Sequence, residues 1–210
     1  MVENVHWLGH AGFRVDGPTI LYFDPFKLSD GSKKADIIFI THEHFDHLSW
    51  DDIRLIATKD TVIVCDKTSA KKLGKQIECR EVTAMAPGDK YDLEGIAVEA
   101  VSAYNTNKPF HTKASQKVGY IVTVRGVRIY HAGDTDVIPE MKNYTCDIAL
   151  LPVSGTYVMT AEEAAQAALI IKPKVAIPMH YGEVAGTSAD AKKFQDALKG
   201  KIEVKILKKE

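Results

Sequence analysis

The chain has 210 residues, and its 27 Lys and Arg nearly balance its 28 Asp and Glu, for a formal net charge of −1. This balance gives no electrostatic reason to expect nucleic acid or an anionic membrane as a main partner. Hydrophobic residues make up 45% of the chain and charged residues 26%, which is typical of a globular protein rather than a disordered one. No signal peptide is visible, and the apolar runs are too short to span a bilayer. We therefore expect one cytoplasmic domain over residues 1–210, whose oligomeric state has no signature in the sequence.

Predicted strands and turns alternate through the first third of the chain. β-branched and aromatic residues between turn residues favour short strands there. The run 35–40 is apolar and has the length of a strand that is buried on both faces. The predicted strands are 5–8, 12–15, 19–23, 35–40 and 61–65, and the predicted helices are 51–58 and 69–74.

The rest of the chain changes from hairpins to alternating strands and helices. Arg125-Gly126 is a predicted hairpin turn, and Thr160 with Glu163 forms a capping box for a helix that stops before Pro173. The predicted strands are 96–104, 118–124, 127–131, 147–153, 175–178 and 202–207, and the predicted helices are 160–171 and 188–198. Hairpins followed by strand–helix units predict a layered α/β fold with two mixed sheets and helices packed outside.

The three cysteines do not suggest a metal site. Cys65, Cys79 and Cys146 lie far apart and form no CxxC pair. We expect small buried thiols, and an odd number of unpaired cysteines fits a reducing compartment.

A cluster of metal-ligand residues follows the strand predicted at 35–40. Three of the chain's eight histidines and two acids occur within six residues, in the order His42-Glu43-His44-Phe45-Asp46-His47. Imidazole nitrogens and carboxylate oxygens bind zinc, iron and manganese. Because side chains alternate along an extended segment, His42 and His44 point the same way, whereas Asp46 and His47 follow where the chain turns. The spacing therefore favours two adjacent metal ions over one.

This segment matches the HxHxDH motif of the metallo-β-lactamase superfamily. Three more segments resemble that superfamily in the expected order, namely Tyr22-Phe23-Asp24, His131-Ala132-Gly133-Asp134 and Ile177-Pro178-Met179-His180. The resemblance covers nearly the whole chain and implies a four-layer αββα sandwich. Within the superfamily, the chain looks most like the compact branch of metal-dependent hydrolases that includes the ascorbate-6-phosphate lactonase type.

The resemblance also implies which residues bind metal. The implied ligands are His42 and His44 for one ion, Asp46, His47 and His180 for the second, and Asp134 as a bridge between the two. Asp46 and Asp134 are the implied catalytic residues. Taken alone, Asp134 could serve turn chemistry and His180 could be a core histidine, so their assignment depends on the order of the motifs.

Two further residues are candidates for supporting the ligands. The resemblance implies that Asp24 orients ligands without touching metal, as such partners tune the basicity and geometry of ligands. His10 lies in a Gly-His-Ala-Gly loop that this branch often places near the site, so it could support a ligand or contact substrate.

One position departs from the superfamily pattern. A third histidine for the first ion is expected after the strand predicted at 96–104, where this chain has Asn105. His111 follows six residues later. Either His111 returns from its loop to complete the site, or Asn105 or water replaces the imidazole and the first ion is held weakly. The departure leaves open whether one or two ions bind.

The predicted function is metal-dependent hydrolysis, by a metal-bound hydroxide, of a small anionic ester such as a lactone or phosphoester. The expected cofactor is a divalent ion, zinc first, with manganese, iron and nickel as alternatives. Lys108, Lys113 and the segment 155–157 are candidate contacts of this small-molecule substrate. The alternative is a non-catalytic metal-binding or sensor domain on the same fold.

Overall fold

The computed structural model describes residues 2–210, which form two compact units. The N-terminal unit runs to Met85 and includes Lys208–Glu210, and the C-terminal unit is Ala86–Leu207. The prediction of a single domain over residues 1–210 stays a prediction. Among the described residues, no helix is both long and apolar enough to cross a membrane.

The N-terminal unit is built on a mixed sheet with the strand order β1-β2-β3-β4-β5-β6. The strands are β1 (Val5–Gly9), β2 (Gly12–Val15), β3 (Leu21–Phe23), β4 (Ile37–Ile40), β5 (Val62–Asp66) and β6 (Glu81–Met85). The first three strands pair antiparallel, and β3 to β6 pair parallel. Helices α1 (Trp50–Ile56) and α2 (Lys67–Leu73) follow β4 and β5.

The core of this unit is apolar, as the continuous run in β4 predicted. All four residues of β4 are buried, and Ile38 and Ile40 pack in a cluster with Ile53 and Ile63. Residues 208–210 close one side of the unit. The backbone N–H of Glu210 donates to the carbonyl oxygen of Trp7 at 3.0 Å, and the Glu210 carboxylate accepts from Arg14 at 3.0 Å.

The C-terminal unit contains a second mixed sheet, with the strand order β13-β12-β11-β10-β9-β8-β7. The strands are β7 (Lys90–Leu93), β8 (Ile96–Ser102), β9 (Val118–Val124), β10 (Val127–His131), β11 (Ile148–Pro152), β12 (Val175–Met179) and β13 (Glu203–Val204). Strands β7 to β10 pair antiparallel, and β10 to β13 pair parallel. The helices are α3 (Ala161–Ile171) and α4 (Ser188–Ala197), with 3-10 turns at Lys113–Ser115 and Pro139–Asn143.

The predicted α/β class with two mixed sheets and helices is confirmed, and the main differences lie at three edge strands, with a two-residue shift at the start of the inner strand β3. The sequence does not predict β6 and β7, because these edge strands expose polar residues and lack a clear apolar alternation. The last strand covers two residues rather than 202–207, and β3 begins at Leu21 rather than at Thr19. Edge strands pair on one side only, so their length is decided by the neighbouring strand more than by their own composition.

Candidate metal centre

In the N-terminal unit, the candidate residues leave the carboxyl ends of parallel strands. Asp24 directly follows β3, and Thr41 and His42 directly follow β4. Since β3 and β4 are paired in parallel, their carboxyl ends lie at the same edge of the sheet. This topology brings together Asp24 and the 42–47 segment, which are far apart in sequence, as open α/β sheets do at their functional edge.

Asp24 connects the candidate ligands to the backbone of this edge. Its Oδ1 accepts from the Thr41 backbone N–H at 2.8 Å, and its Oδ2 accepts from the Thr41 hydroxyl at 2.7 Å. The same Oδ2 lies 2.7 Å from His47 Nδ1, and all three residues have no exposed surface. Because a carboxylate only accepts, His47 Nδ1 carries the proton, and Nε2 carries the lone pair. Metal-binding histidines are held in this way.

His42 and His44 present two nitrogens at the separation expected of ligands on one ion. The Thr41 hydroxyl gives its proton to Asp24, so its oxygen accepts from His42 Nδ1 at 3.0 Å. This leaves His42 Nε2 as the lone-pair nitrogen, and it lies 3.2 Å from His44 Nδ1. Two nitrogens bound tetrahedrally to zinc at about 2.0–2.1 Å are roughly 3.3 Å apart. The donor pair therefore fits a shared metal.

His10 contacts Asp46, the acidic member of the motif. His10 Nε2 lies 2.9 Å from Asp46 Oδ2, and His10 has no exposed surface. The Trp7 indole N–H donates to the His10 carbonyl oxygen at 2.9 Å. Ligand atoms of His10, Asp46 and His47 all lie within 4.8 Å of one another. These contacts fit the supporting role predicted for His10.

In the C-terminal unit, Asp134 and His180 meet at the carboxyl ends of three parallel strands. Asp134 follows β10, Ser154 follows β11 and His180 follows β12. His180 Nε2 lies 3.2 Å from Asp134 Oδ1, again near the separation of two donors on one ion. The Ser154 hydroxyl lies 3.0 Å from His180 Nδ1, so it can accept from that nitrogen and leave Nε2 for metal.

Sequence reasoning missed Ser154 and Thr41, the two hydroxyls that hold histidines of the site. Each is an ordinary residue in the sequence, and its role depends on strand pairing. Ser154 also requires a glycine nearby. Gly186 has a φ of +71°, and a Cβ on it would lie 2.5 Å from the Ser154 Cβ. Only glycine allows this approach without a shift.

At Asn105, where the superfamily pattern expects a histidine, the structure shows what holds the side chain and where His111 lies. The Asn105 backbone N–H donates to the His111 carbonyl oxygen at 2.7 Å, and the Asn105 side-chain amide donates to the Tyr157 carbonyl oxygen at 2.9 Å. His111 is buried, and its Nδ1 lies 3.4 Å from the Asp134 carbonyl oxygen. The loop thus returns His111 to the neighbourhood of Asp134. Binding of metal by His111 or Asn105 stays a prediction.

The two lysines predicted to contact substrate are both paired with acids. The Lys108 ammonium contacts the Asp136 carboxylate, which is also held by the Thr106 backbone N–H at 2.7 Å. Lys113 Nζ lies 2.7 Å from Glu140 Oε1, and this hydrogen bond holds the pKa of Glu140 below its ordinary value. Both positive charges are therefore compensated within the C-terminal unit.

Known proteins similar to this chain include metal-dependent hydrolases. A family model described as a beta-lactamase superfamily domain matches residues 4–180. A UPF0173 metal-dependent hydrolase of Pyrococcus horikoshii is 32% identical, and the match covers 97% of this chain and 96% of that protein. A UPF0173 metal-dependent hydrolase of Archaeoglobus fulgidus is 34% identical, with 97% and 95% covered. A solved structure from Parabacteroides distasonis is 36% identical with a TM-score of 0.84, and covers 97% and 93% of the two chains.

The chain belongs to the metallo-β-lactamase superfamily, among its UPF0173 metal-dependent hydrolases. This confirms the predicted superfamily, its α/β fold and the class of enzyme. Igni18, a metallo hydrolase from Ignicoccus hospitalis, has a TM-score of 0.78 at 23% identity, which shows the shared fold alone. The narrower resemblance to the ascorbate-6-phosphate lactonase type stays a prediction, and the family does not favour the alternative of a non-catalytic domain.

Proposed function

We propose that this enzyme hydrolyses a small ester, a lactone or an anionic phosphoester, with zinc as the first candidate metal. The observation that carries the metal-dependent chemistry of the proposal is the hydrogen bond of 2.7 Å from buried His47 to buried Asp24, which leaves Nε2 as the lone-pair nitrogen. The ester class is supported by the resemblance to the superfamily alone. The donors are nitrogens and carboxylate oxygens, so manganese, iron and nickel remain alternatives to zinc. A cytoplasmic location belongs to the same proposal and is supported by three free thiols at Cys65, Cys79 and Cys146.

The proposed ligands are those that the superfamily resemblance implies. They are His42 and His44 for one ion, joined by His111, and Asp46, His47 and His180 for the other, with Asp134 as the bridge. A bound divalent ion lowers the pKa of water and polarises the oxygen that gains charge in hydrolysis. Asp46 and Asp134 are the proposed catalytic residues. Their neighbours keep the site organised: His10 holds Asp46 at 2.9 Å, and His180 lies 3.2 Å from Asp134.

Other side chains of the protein hold the ligands in the binding tautomer. Asp24 fixes the proton of His47 on Nδ1, and Thr41 does the same for His42. The Ser154 hydroxyl lies 3.0 Å from His180 Nδ1, where it can accept from that nitrogen. With these protons fixed, each histidine offers Nε2 without a rearrangement when metal binds, which is the preorganisation that a catalytic site needs.

Elemental analysis of the purified protein tests the proposed ligand set. We expect two ions per chain in the wild type, about one in His111→Ala, and two in Asn105→Ala. His6→Ala is the matched control, because His6 is a partly exposed histidine that pairs with Asp16 and Glu210 rather than with a candidate ligand. A single ion in the wild type that His111→Ala does not change would contradict the two-ion assignment.

Turnover by the metal-loaded protein tests the proposed chemistry. We expect hydrolysis within a panel of simple lactones and phosphodiesters, and its loss in His42→Ala and Asp134→Ala with the fold retained by circular dichroism. A fully loaded wild type that hydrolyses no member of either class would refute the proposed substrate class.

A further inference from the structure

Two exposed aromatic rings touch each other in the C-terminal unit. Phe110 is 49% exposed and Tyr157 is 41% exposed. Their ring centroids are 5.6 Å apart with an interplanar angle of 80°, an edge-to-face contact. Single exposed apolar residues are ordinary, but two that meet across separate loops form an apolar surface that is more than a chance exposure.

This aromatic pair is attached directly to candidate site residues of the same unit. Phe110 immediately precedes His111, whose Nδ1 lies 3.4 Å from the Asp134 carbonyl oxygen. The Tyr157 carbonyl oxygen accepts from the Asn105 side chain at 2.9 Å, and the Asn105 backbone N–H donates to the His111 carbonyl oxygen at 2.7 Å. The first hydrogen bond ties the Tyr157 loop to the loop that carries Phe110, and the second lies within that loop, which returns His111 towards Asp134.

The two lysines of this region, Lys108 and Lys113, are each paired with an acidic side chain. Lys108 is only 16% exposed at its side chain and contacts Asp136, and Lys113 pairs with Glu140 at 2.7 Å. Removing either lysine from its acid would cost the charge-assisted hydrogen bond. Lys113 is exposed, but its charge is compensated by Glu140, so the unpaired surface that this region offers to a ligand is aromatic.

We propose that Phe110 and Tyr157 bind a flat apolar substituent of the substrate, such as the aryl ring of an aryl lactone or of an aryl phosphodiester. The proposal rests on the proposed function, because it assigns a binding surface to the part of the ester that does not react. Ligand sites combine aromatic walls with a few polar groups that fix orientation, and the pair beside His111 and Asn105 has this composition. Aromatic contacts of this kind change affinity by roughly 2- to 12-fold for each ring.

A comparison of two lactones tests this assignment. We expect wild type to have a lower KM for dihydrocoumarin than for δ-valerolactone, which lacks the aryl ring. In Phe110→Ala and Tyr157→Ala, this preference should fall by about 3- to 10-fold for each substitution, through a higher KM with kcat retained. Tyr157→Phe should keep the preference. Tyr91→Ala is the matched control, because Tyr91 is 48% exposed on β7 of the same unit.

A binding measurement separates failure of this proposal from failure of the proposed function. Calorimetry with the ring-opened products, 3-(2-hydroxyphenyl)propanoate and 5-hydroxypentanoate, needs no turnover. Tighter binding of the aryl acid that Phe110→Ala and Tyr157→Ala abolish supports the pair even if neither lactone is hydrolysed. Equal affinity for the two acids, or a preference that the alanine variants keep, overturns the proposal even if both lactones are good substrates.

Discussion

At the scale of single residues, one buried carboxylate organises the candidate ligands of the N-terminal unit. Asp24 accepts from both the backbone and the hydroxyl of Thr41, and it lies 2.7 Å from His47 Nδ1. The sequence identified Asp24 through the superfamily resemblance, and it identified the histidines through their spacing. It did not identify Thr41, because nothing in the order of residues shows that a hydroxyl will lie between Asp24 and His42.

Asp24→Asn should weaken metal binding, because an amide cannot accept from all three donors, and His47 then loses its preferred tautomer. We expect metal affinity to fall roughly 10- to 100-fold, measured by competition with a chromophoric chelator. Asp66→Asn is a matched control, since Asp66 is similarly buried at the end of β5 but caps α2 through Ser69. Asparagine caps helices as well as aspartate does. Unchanged affinity in Asp24→Asn would remove the proposed role of Asp24.

At the scale of elements, the β9–β10 hairpin positions the segment that carries Asp134. The predicted turn at Arg125-Gly126 is confirmed, with φ of +51° and +76° at the two positions, as a type I′ turn requires. At the other end of the hairpin, Gly119 of β9 lies against the backbone that follows β10. A Cβ there would lie 2.7 Å from the His131 carbonyl oxygen and 2.8 Å from that of Ala132.

Gly119→Ala should therefore displace the 131–134 segment, because both atoms that the new methyl group meets belong to the backbone and cannot rotate away. We expect a loss of about 1–3 kcal/mol in the free energy of unfolding, measured in urea, together with fewer ions bound per chain. In Gly17→Ala the nearest atom is an ordinary 3.4 Å away, so this variant should keep both properties. Wild-type stability and metal content in Gly119→Ala would show that this strand junction adapts freely.

The elements also show where sequence patterns are reliable. The capping box predicted at the start of α3 is present, with Thr160 accepting from the Glu163 backbone at 3.2 Å and Glu163 accepting from the Thr160 backbone at 2.8 Å. Both partners are close in sequence, so the pattern contains the whole interaction. Ser154 and His180 are not close in sequence. Their contact depends on the pairing of β11 with β12, which local composition does not encode.

At the scale of the whole molecule, the prediction of small buried thiols is confirmed for Cys65, whereas Cys79 and Cys146 are only partly buried. Cys65 is fully buried, and burial raises its pKa above the ordinary value of a thiol. Burial likewise raises the pKa of Cys146 to about 12. These thiols are therefore neutral in the folded protein at physiological pH, which fits neither a nucleophile nor a metal ligand.

The free energy of unfolding should fall in alkaline solution because of these thiols. In the unfolded chain they ionise near pH 8.5, whereas the fold keeps them protonated. The fold then binds more protons than the unfolded chain, so each thiol lowers the free energy of unfolding by up to about 1.4 kcal/mol per pH unit between its two pKa values. Urea titrations at pH 7.5, 8.5 and 9.5 should show this loss, and a shallower loss in Cys146→Ala. Equal slopes for variant and wild type would count against a buried neutral Cys146.

The return of residues 208–210 to the N-terminal unit has a consequence for the order in which the protein is made. On the ribosome, β1 and β2 emerge long before Glu210, whose carboxylate pairs with Arg14 and His6 and whose backbone bonds to Trp7. The nascent N-terminal unit therefore exists without these contacts while residues 86–207 are translated. The strands that are made first therefore receive these partners only after the whole C-terminal unit has been synthesised.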